Sequence, residues 1–294
     1  MKIRSITLML LMVAVSFQVF SQEKSLKRKV AIGRFSNETQ YSKSVFYDKT
    51  NDPMGKQASD ILSTRLASTD KFLLIERQDY DKIVNELNTG GGVSQKIGAD
   101  FLIIGSITEY GRKNIGEQKL FSSSKKQVVE AGVSIRLVDV STGLVIYSGE
   151  AKGEAETTDK QVMGFGKSAD FDATLSDKAI SAAITKLVEN IITKCTNNPW
   201  KAYILSVEDG SYIVSGGEAQ GIAAGDEFVV MEKGKKVKNP QTGLLIELPG
   251  KAIGKLKVIQ TTGNLPEEQI SIATLTEGSV DAAKLDSYYV TQKK

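Results

Sequence analysis

Two residue types that often carry catalysis, histidine and cysteine, are absent or nearly absent from this 294-residue chain. It contains no histidine and a single cysteine, Cys195. Without histidine, Ser-His-Asp triads, histidine general bases and histidine-containing zinc sites are excluded. Cys195 falls on the apolar stripe of a predicted helix, so we interpret it as a buried structural thiol and not a reactive one. One cysteine also rules out an intramolecular disulfide.

Two short motifs resemble ligand-binding or catalytic elements, and neither is complete. Residues 164–168 end in the Gly-Lys-Ser of a phosphate-binding loop, but position 161, where its first glycine belongs, is Gln161. Glu76 and Arg77 could form an acid–base pair, yet their place before an amphipathic segment favours a capping and ion-pair role. We therefore predict no catalytic residues, no cofactor and no metal, and a protein that is not an enzyme.

Residues 1–21 have the pattern of a cleaved secretory signal. Lys2 and Arg4 precede an apolar run over residues 6–15, and small or tolerated residues come before Gln22. That run is far shorter than the roughly 20 residues that a spanning helix needs. We therefore expect an exported protein. A mature chain from Gln22 would carry a net charge of about +1, which indicates no nucleic-acid partner.

Strands and helices alternate through residues 22–198. The predicted elements are strands at 29–35, 72–75 and 101–108, helices from about 53, at 76–87 and at 177–195, and a central hairpin within 133–151. This order predicts an α/β sandwich in which helices pack on a mixed sheet with extended hairpins.

Beyond residue 198 the pattern changes to short, glycine-punctuated strands. We predict strands at 202–207, 212–215, 227–231, 244–248, 252–260 and 270–275. Residues 199–294 then form a small all-β barrel, and segments 221–230, 239–243 and 254–258 are similar to SH3-like barrels appended to flagellar-ring and other cell-envelope proteins. This similarity implies docking to an envelope protein or a glycan; a stabilising cap is the alternative.

Several segments of the first domain together resemble the CsgG family, the curli production assembly/transport component of the bacterial outer membrane. They are Leu-Ile-Glu-Arg-Gln at 74–78, Ile-Val-Asn-Glu at 83–86, and the runs 98–107 and 133–143. The resemblance covers roughly residues 29–195. It implies a periplasmic α/β domain that oligomerises into a ring, with two hairpins per subunit building a shared transmembrane barrel. The chain departs from that pattern in having no lipid-bearing cysteine and an added C-terminal β-domain.

The resemblance also implies that a loop before the first helix narrows the pore. In this chain, the residues suited to such a constriction are Tyr41, Phe46, Tyr47 and Asn51. The match rests on location and composition. The alternative is that these aromatic residues cover the edge of the α/β core.

The segments in the hairpin positions are residues 109–132 and 150–175. Both are long enough for two membrane strands, which need about 9–11 residues each. The candidate membrane-facing set in the last arm is Met163, Phe165, Ala169 and Phe171, interrupted by Lys167. Neither face of the first arm suits lipid, because charged residues occur on both. The alternative is a set of amphipathic strands lying on a protein surface.

The leading hypothesis is a non-enzymatic protein of the periplasm or outer membrane in a Gram-negative-type envelope. It would act as a homo-oligomer, and its finer form is a secretion channel subunit. The alternative is a soluble periplasmic adaptor or regulatory binding module without a pore.

Overall fold

The computed structural model describes residues 25–39, 52–89, 98–119, 122–162, 174–241, 243, 245–266 and 268–292. Within these ranges the chain forms two domains, each with its own hydrophobic core. Every helix in the described part of the chain is too short or too polar to cross a membrane.

The first domain is built on a five-stranded mixed sheet. Its elements are β1 (Arg28–Asn37), α1 (Pro53–Ala67), β2 (Phe72–Ile75), α2 (Tyr80–Thr89), β3 (Phe101–Lys119), β4 (Ser122–Asp139), β5 (Val145–Val162) and α3 (Thr174–Asn197). The strand order is β2-β1-β3-β4-β5. β1 pairs in parallel with β2 and β3, whereas β3, β4 and β5 pair antiparallel. The predicted α/β architecture with a mixed sheet is confirmed.

Helix α3 is the main cover of this sheet. Its apolar residues recur at helical spacing and form one fully buried stripe, as predicted. The stripe consists of Leu175, Ala179, Ile180, Ala183, Ile184, Leu187, Ile191 and Cys195. Helix α1 packs beside α3 and buries Ala58, Leu62 and Leu66 in the same core. The side chain of Asp52 caps α1 by accepting from the Gly55 N–H at 2.8 Å.

The second domain is antiparallel β-structure. Its strands are β6 (Lys201–Ala202), β7 (Ile204–Glu208), β8 (Ser211–Ser215), β9 (Glu227–Glu232), β10 (Lys236–Lys238), β11 (Leu245–Glu247), β12 (Lys251–Thr262), β13 (Ile270–Gly278) and β14 (Tyr288–Gln292). Seven of them form one sheet in the order β6-β14-β9-β12-β13-β8-β7, and β10 pairs with β11 as a separate hairpin. The long sheet curls towards closure, since β14 near one end contacts β7 at the other.

Several element bounds differ from the sequence-based ones. Helix α2 begins at Tyr80 and not at Glu76, because the Glu76 carboxylate accepts from the backbone N–H groups of Gln78 and Asp79, at 2.5 and 3.1 Å. Both N–H groups precede the first residue of α2, so Glu76 stabilises the turn before the helix, and its capping and ion-pair role stays a prediction. Strand β3 runs from the predicted strand at 101–108 directly into the hairpin segment at 109–132 and ends at Lys119, whereas β10 and β14 were not predicted.

The two domains are joined by more than the chain between them. Leu26, which precedes β1, has its side chain in the core of the second domain. The Lys27 N–H donates to the Gln220 carbonyl at 2.9 Å, and Arg28 donates to the Asn198 carbonyl at 2.9 Å. The start of the first domain is therefore held against the second.

Candidate functional site

The side chains that the sequence suggested for a pore lie outside the described residues. This applies to the candidate constriction, Tyr41, Phe46, Tyr47 and Asn51, and to the candidate membrane face, Met163, Phe165, Ala169 and Phe171. The incomplete phosphate-loop motif at 164–168 lies outside them too. These assignments stay predictions.

The described parts of both predicted hairpins form one three-stranded extension of the sheet, which we call the strand arm: residues 109–119, 122–132 and 150–162. Pairing in the arm is continuous from Glu109 with Gly132 to Lys119 with Ser122. The third strand follows the second from Lys152 with Gly132 to Val162 with Ser122. Strands β3, β4 and β5 are therefore 18 to 19 residues long, roughly three times an ordinary strand.

One face of the strand arm near the core packs on helix α3. Gly153 lies directly under the helix, and Ala151 and Ala155 flank it at the edge of the core. Tyr110, on the same face, shares a hydrogen bond of 2.6 Å with the Ser176 hydroxyl of α3. This half of the arm is therefore an amphipathic surface covered by protein, as in the alternative reading of the hairpins.

The opposite face of the arm near the core carries alternating charges in water. Lys113 pairs with Glu130 at 3.2 Å, Lys126 with Glu156 at 2.5 Å, and Lys152 with Glu109 at 2.6 Å. All six side chains are substantially exposed, so solvent screens each pair and its contribution to stability is small. A face of this composition belongs in an aqueous compartment and not in hydrocarbon.

Strand β5 is an edge of the sheet. Within the described residues it pairs with β4 alone, which leaves the other side of Val145–Val162 without a neighbouring strand. An open edge of this length presents a row of backbone donors and acceptors that another chain can use.

A second candidate site is a cavity of about 370 Å³ between the domains. Its walls come from the start of β1, residues 98–101 before and within β3, the turn after β4, and residues 198–203 at the start of the second domain. The wall includes the charged residues Arg28 and Asp100 and the aromatic residue Trp200.

Arg28 is the most buried charge on the cavity wall, with 5% of its surface exposed. It donates to two neutral carbonyls, those of Leu26 and Asn198, each at 2.9 Å. Its Nε is buried without an acceptor in the described structure. Burial lowers the pKa of Arg28, and the Asp100 charge opposes that effect only in part.

Two further groups complete this environment. Asp100 accepts from the Lys29 N–H at 2.8 Å, and its pKa is raised by burial. Trp200 is 2% exposed and stacks on Phe228 with 5.2 Å between ring centroids. Its Nε1 is a second buried donor that has no acceptor among the described residues. The residues of the wall therefore include a buried cation, and Arg28 Nε and Trp200 Nε1 are both enclosed by protein.

A third feature is the exposed β10–β11 hairpin of the second domain. Val237 pairs with Ile246, so both lie on one face of the ribbon, and they are 42% and 47% exposed. Lys236 and Lys238 alternate with them and are also exposed. Apolar and cationic residues together on an exposed hairpin are suited to an anionic membrane surface.

Sequence reasoning missed the cavity and the hairpin surface. The cavity had no sequence signal, because Arg28 and Asn198 are 170 residues apart and meet only in the folded chain. The hairpin did have a sequence signal, because the lysines at 233, 235, 236 and 238 precede the apolar run at 244–246.

The chain matches the family model described as "Curli production assembly/transport component CsgG" over residues 12–225. It is also 30% identical, over 184 residues, to the "Putative lipoprotein NMB1126/NMB1164" of Neisseria meningitidis serogroup B. That alignment covers 62% of this chain and 82% of the relative. The family match extends past the domain boundary into the first strands of the second domain.

Two solved structures are among those to which this chain is similar. The PelC dodecamer from Paraburkholderia phytofirmans is 19% identical with a TM-score of 0.27, over 55% of this chain and 87% of PelC. The hypothetical protein CT253 from Chlamydia trachomatis is 16% identical with a TM-score of 0.35, over 58% of this chain and 99% of CT253.

Proposed function

The chain belongs to the CsgG family of curli production assembly/transport components, and from this premise we propose that it is a non-enzymatic cell-envelope protein that acts as a homo-oligomer. The finer form of the proposal is a secretion channel subunit at the outer membrane. Family membership supports an exported envelope protein. The steps beyond that rest on the strand arm and on the β10–β11 hairpin.

The observation that carries the proposal is the open edge of strand β5. Its 18 residues pair with β4 and with no other described strand. Soluble monomers usually shorten or cover an edge strand of this length, because an exposed ladder recruits other chains. In an oligomer, a strand of the neighbouring subunit would pair with this edge and continue the sheet.

The channel form of the proposal divides the strand arm into two zones. Near the core, the charged face with Lys113, Glu130 and Lys152 would stand in the aqueous compartment. Farther along, the arm would continue into the segment with Phe165 and Phe171, which would face lipid. The membrane zone is thus assigned to the distal part of the hairpins.

We assign contact with the membrane surface to the β10–β11 hairpin. Val237 and Ile246 would enter the headgroup boundary, while Lys236 and Lys238 would bind anionic phospholipid headgroups. This gives the second domain a docking role within the oligomer.

The second candidate function is a soluble periplasmic adaptor without a pore. It is favoured by the cover that α3 gives to the near half of the strand arm, where Gly153 and Tyr110 contact the helix. The joint at Leu26 and Lys27 would then present both domains to a partner as one unit.

The decisive experiment is the mass of the mature chain from Gln22, measured by light scattering after purification with and without detergent. A large assembly that needs detergent supports the channel subunit. A large assembly in plain buffer supports an oligomer without a membrane zone. A monomer in both conditions contradicts homo-oligomeric action and leaves the adaptor as the working function.

Two adjacent proline substitutions test the role of the β5 edge. Backbone N–H groups along a strand point alternately to one side and to the other. Proline has no N–H, so one of the two variants, Thr157→Pro or Thr158→Pro, loses a hydrogen bond to β4, and the other loses an N–H group at the open edge. We expect the edge variant to keep its melting temperature and to lose the assembled mass. Full assembly of both variants would contradict pairing through this edge.

The membrane zone has its own test. In the variant with Phe165→Asp and Phe171→Asp, lipid-facing residues would become charged, and membrane association should be lost. Matched substitutions on the charged face, Glu130→Asp and Glu154→Asp, should leave it intact. A double-Asp variant that fractionates with membranes like the parent chain would overturn the assignment of this segment.

A further inference from the structure

The second domain carries two lysine–tyrosine pairs on its surface. Lys201 Nζ lies 5.1 Å from the centre of the Tyr289 ring, and Lys233 Nζ lies 5.6 Å from the centre of the Tyr203 ring. Both lysines are exposed, and Tyr203 is half exposed. An ammonium group at this distance is attracted to the electron-rich face of the ring. We call these four residues the Lys–Tyr face.

The end of the chain brings the two pairs together along strand β14. Thr291 of β14 pairs with Lys201. The Lys233 N–H donates to the Ser287 carbonyl at 2.8 Å, directly before the strand begins. Four residues of extended chain, from Ser287 to Thr291, span about 14 Å. The backbones of the two lysines are therefore separated by that length of β14, and Tyr289 lies between them.

The two lysines of this face have no carboxylate partner among the described residues. The Lys233 ammonium donates to the Asp286 backbone carbonyl at 2.6 Å, which uses one of its three donors. The Asp286 side chain is exposed in the same turn, and it forms no ion pair with Lys233 in the part of the chain that the structure describes. Two ammonium groups thus face solvent beside a single carboxylate.

Other lysines on the outer side of this sheet are compensated. Lys255 pairs with Glu277 at 2.8 Å, and Lys257 lies opposite Glu227 in the neighbouring strand. Lys201 and Tyr203 also border the interdomain cavity, where the first domain adds two cations and two carboxylates, Arg28, Lys29, Asp100 and Asp139. The excess positive charge is therefore a property of the Lys–Tyr face itself.

The spacing of the lysines sets the kind of ligand. One carboxylate or phosphate group is too small to contact both ammonium groups, so the ligand must carry anionic groups at intervals along its length. Between the lysines, the tyrosines offer aromatic rings that end in hydroxyl groups. A sugar unit suits this middle zone, because it has an apolar C–H face and hydroxyls at its rim. A linear glycan with acidic units meets both requirements.

Two other classes of ligand fit this face less well. An extended peptide binds a sheet by adding a strand, but β14 already pairs with β6 on one side and with β9 on the other. A lipid bilayer is contacted by exposed aliphatic side chains, which the β10–β11 hairpin has and the centre of the Lys–Tyr face does not. The face therefore favours a glycan.

We propose that the Lys–Tyr face binds an acidic polysaccharide. Carboxylates on separate sugar units accept hydrogen bonds from Lys201 and Lys233, and an intervening sugar ring packs on Tyr203. This gives the second domain a glycan contact in addition to the membrane contact assigned to the β10–β11 hairpin. The site does not involve the open edge of β5, so it does not depend on the proposed assembly.

The test is calorimetric titration of the mature chain with a galacturonate hexasaccharide. The methyl ester of the same hexasaccharide is the matched ligand control, because it keeps the sugar rings and removes the charges. We expect saturable binding of the free acid that weakens with added salt, and no binding of the ester. A glutamate hexapeptide tests whether any flexible polyanion is accepted, and we expect it to bind more weakly than the glycan.

Variants of the face decide whether the binding occurs there. Lys201→Gln with Lys233→Gln should weaken hexasaccharide binding by about tenfold or more. Tyr203→Ser should weaken it about fivefold, whereas Tyr203→Phe keeps the ring and should bind like the parent chain. Lys178→Gln with Lys194→Gln removes the same charge from exposed positions on α3 and should leave binding unchanged.

Several results would overturn the proposal. They are the absence of saturable binding by the free acid, equal binding of acid and ester, tighter binding of the glutamate peptide, and equal losses in the Lys201–Lys233 and α3 variants. Melting temperatures check that each variant is folded. Should the double lysine variant not fold, the difference between Tyr203→Ser and Tyr203→Phe decides, and equal binding by those two would contradict packing of a sugar on the ring.

Discussion

Gly153 of strand β5 lies so close to Ala179 of helix α3 that a Cβ added to the glycine would fall 2.0 Å from the Ala179 carbonyl oxygen. The added Cβ would also lie 2.4 Å from the Ala183 backbone nitrogen. Both of these neighbours are backbone atoms, so a change of side-chain rotamer cannot relieve the clash. The near half of the strand arm is thus seated on α3 by a position that has room only for glycine.

The first prediction follows from that contact. Gly153→Ala should lower the free energy of unfolding by about 1–3 kcal/mol, because helix and strand must separate to admit one methyl group. Gly111→Ala, on β3 in the same arm, is the matched control, since an added Cβ there meets nothing within 4 Å and should change stability by about 0.5 kcal/mol or less. Urea unfolding of both variants measures the difference, and equal effects would contradict the tight seat.

The second prediction concerns the buried carboxyl of Asp100. Burial raises its pKa above the ordinary 3.8, so the folded state holds the proton more tightly than the unfolded state does. Its stabilising contribution is complete below pH 3.8 and is lost as pH rises through the raised pKa. Asp100→Asn keeps an acceptor for the Lys29 N–H and does not ionise, so its stability relative to the parent chain should increase with pH over that window.

Denaturant unfolding of the parent and Asp100→Asn from about pH 3 to pH 7 measures this difference. Glu189→Gln removes an exposed carboxylate from α3 and serves as the control. A difference between the parent and Asp100→Asn that stays constant with pH would contradict a raised pKa at Asp100.

The third prediction concerns Cys195. Burial raises the pKa of its thiol from 9.0 to about 12, so the folded protein keeps it protonated. The thiolate is the reactive form, and modification by a disulfide reagent at pH 8 should be slow until denaturant exposes the side chain. The thiol's stabilising contribution is present below pH 9 and is lost as pH rises from there through about 12.

Cys195→Ala separates this effect from the titration of lysine and tyrosine. Its stability should fall less steeply above pH 9 than that of the parent chain. Since Cys195 is the single cysteine, reagent uptake per chain reports on this residue alone. Rapid modification of the folded protein at pH 8 would show that the thiol is accessible.

Periodic features were the ones that the sequence could predict. The stripe on α3 recurs at helical spacing, and it is buried from Ile180 to Cys195 as expected, while Leu175, assigned to the hairpin segment 150–175, belongs to the helix. Residues after 108 lack an apolar face, so the strand there was expected from the hairpin segment at 109–132 and not from a buried-strand pattern. In this part of β3, the structure shows a hydrogen bond between Tyr110 and Ser176 of α3, which composition does not indicate. Strand β14 carries the alternation at Tyr288 and Val290, but five terminal residues were too short a signal.

Features that depend on distant residues could not be predicted. The cavity exists because the residues before β1 pack into the second domain, which places Arg28 beside Asn198 and Trp200. The sequence shows that these residues are present, but it does not show that they come together in the folded chain. The proposed pore residues illustrate the other limit, because Tyr41 and Phe165 lie outside the described residues and stay sequence-based predictions.

The last prediction tests the β10–β11 hairpin as the membrane-contacting element. The mature chain should sediment with phosphatidylcholine vesicles that contain phosphatidylglycerol and much less with phosphatidylcholine alone. Lys236→Gln with Lys238→Gln should weaken binding about 30-fold, since each lysine near an anionic surface contributes about 1 kcal/mol. Val237→Ser with Ile246→Ser should also weaken binding, through loss of apolar contact.

The matched control is Ile259→Ser, which removes an equally exposed apolar side chain from β12. Ile259 lies eight residues along β12 from the end where Lys251 pairs with Glu232 beside the hairpin, a distance of about 26 Å. Binding should be kept in this variant and should fall with added salt in the parent chain, because headgroup attraction is screened. Equal losses in the Ile259 variant and in the hairpin variants would mean that general surface hydrophobicity, and not the hairpin, holds the protein to the vesicle.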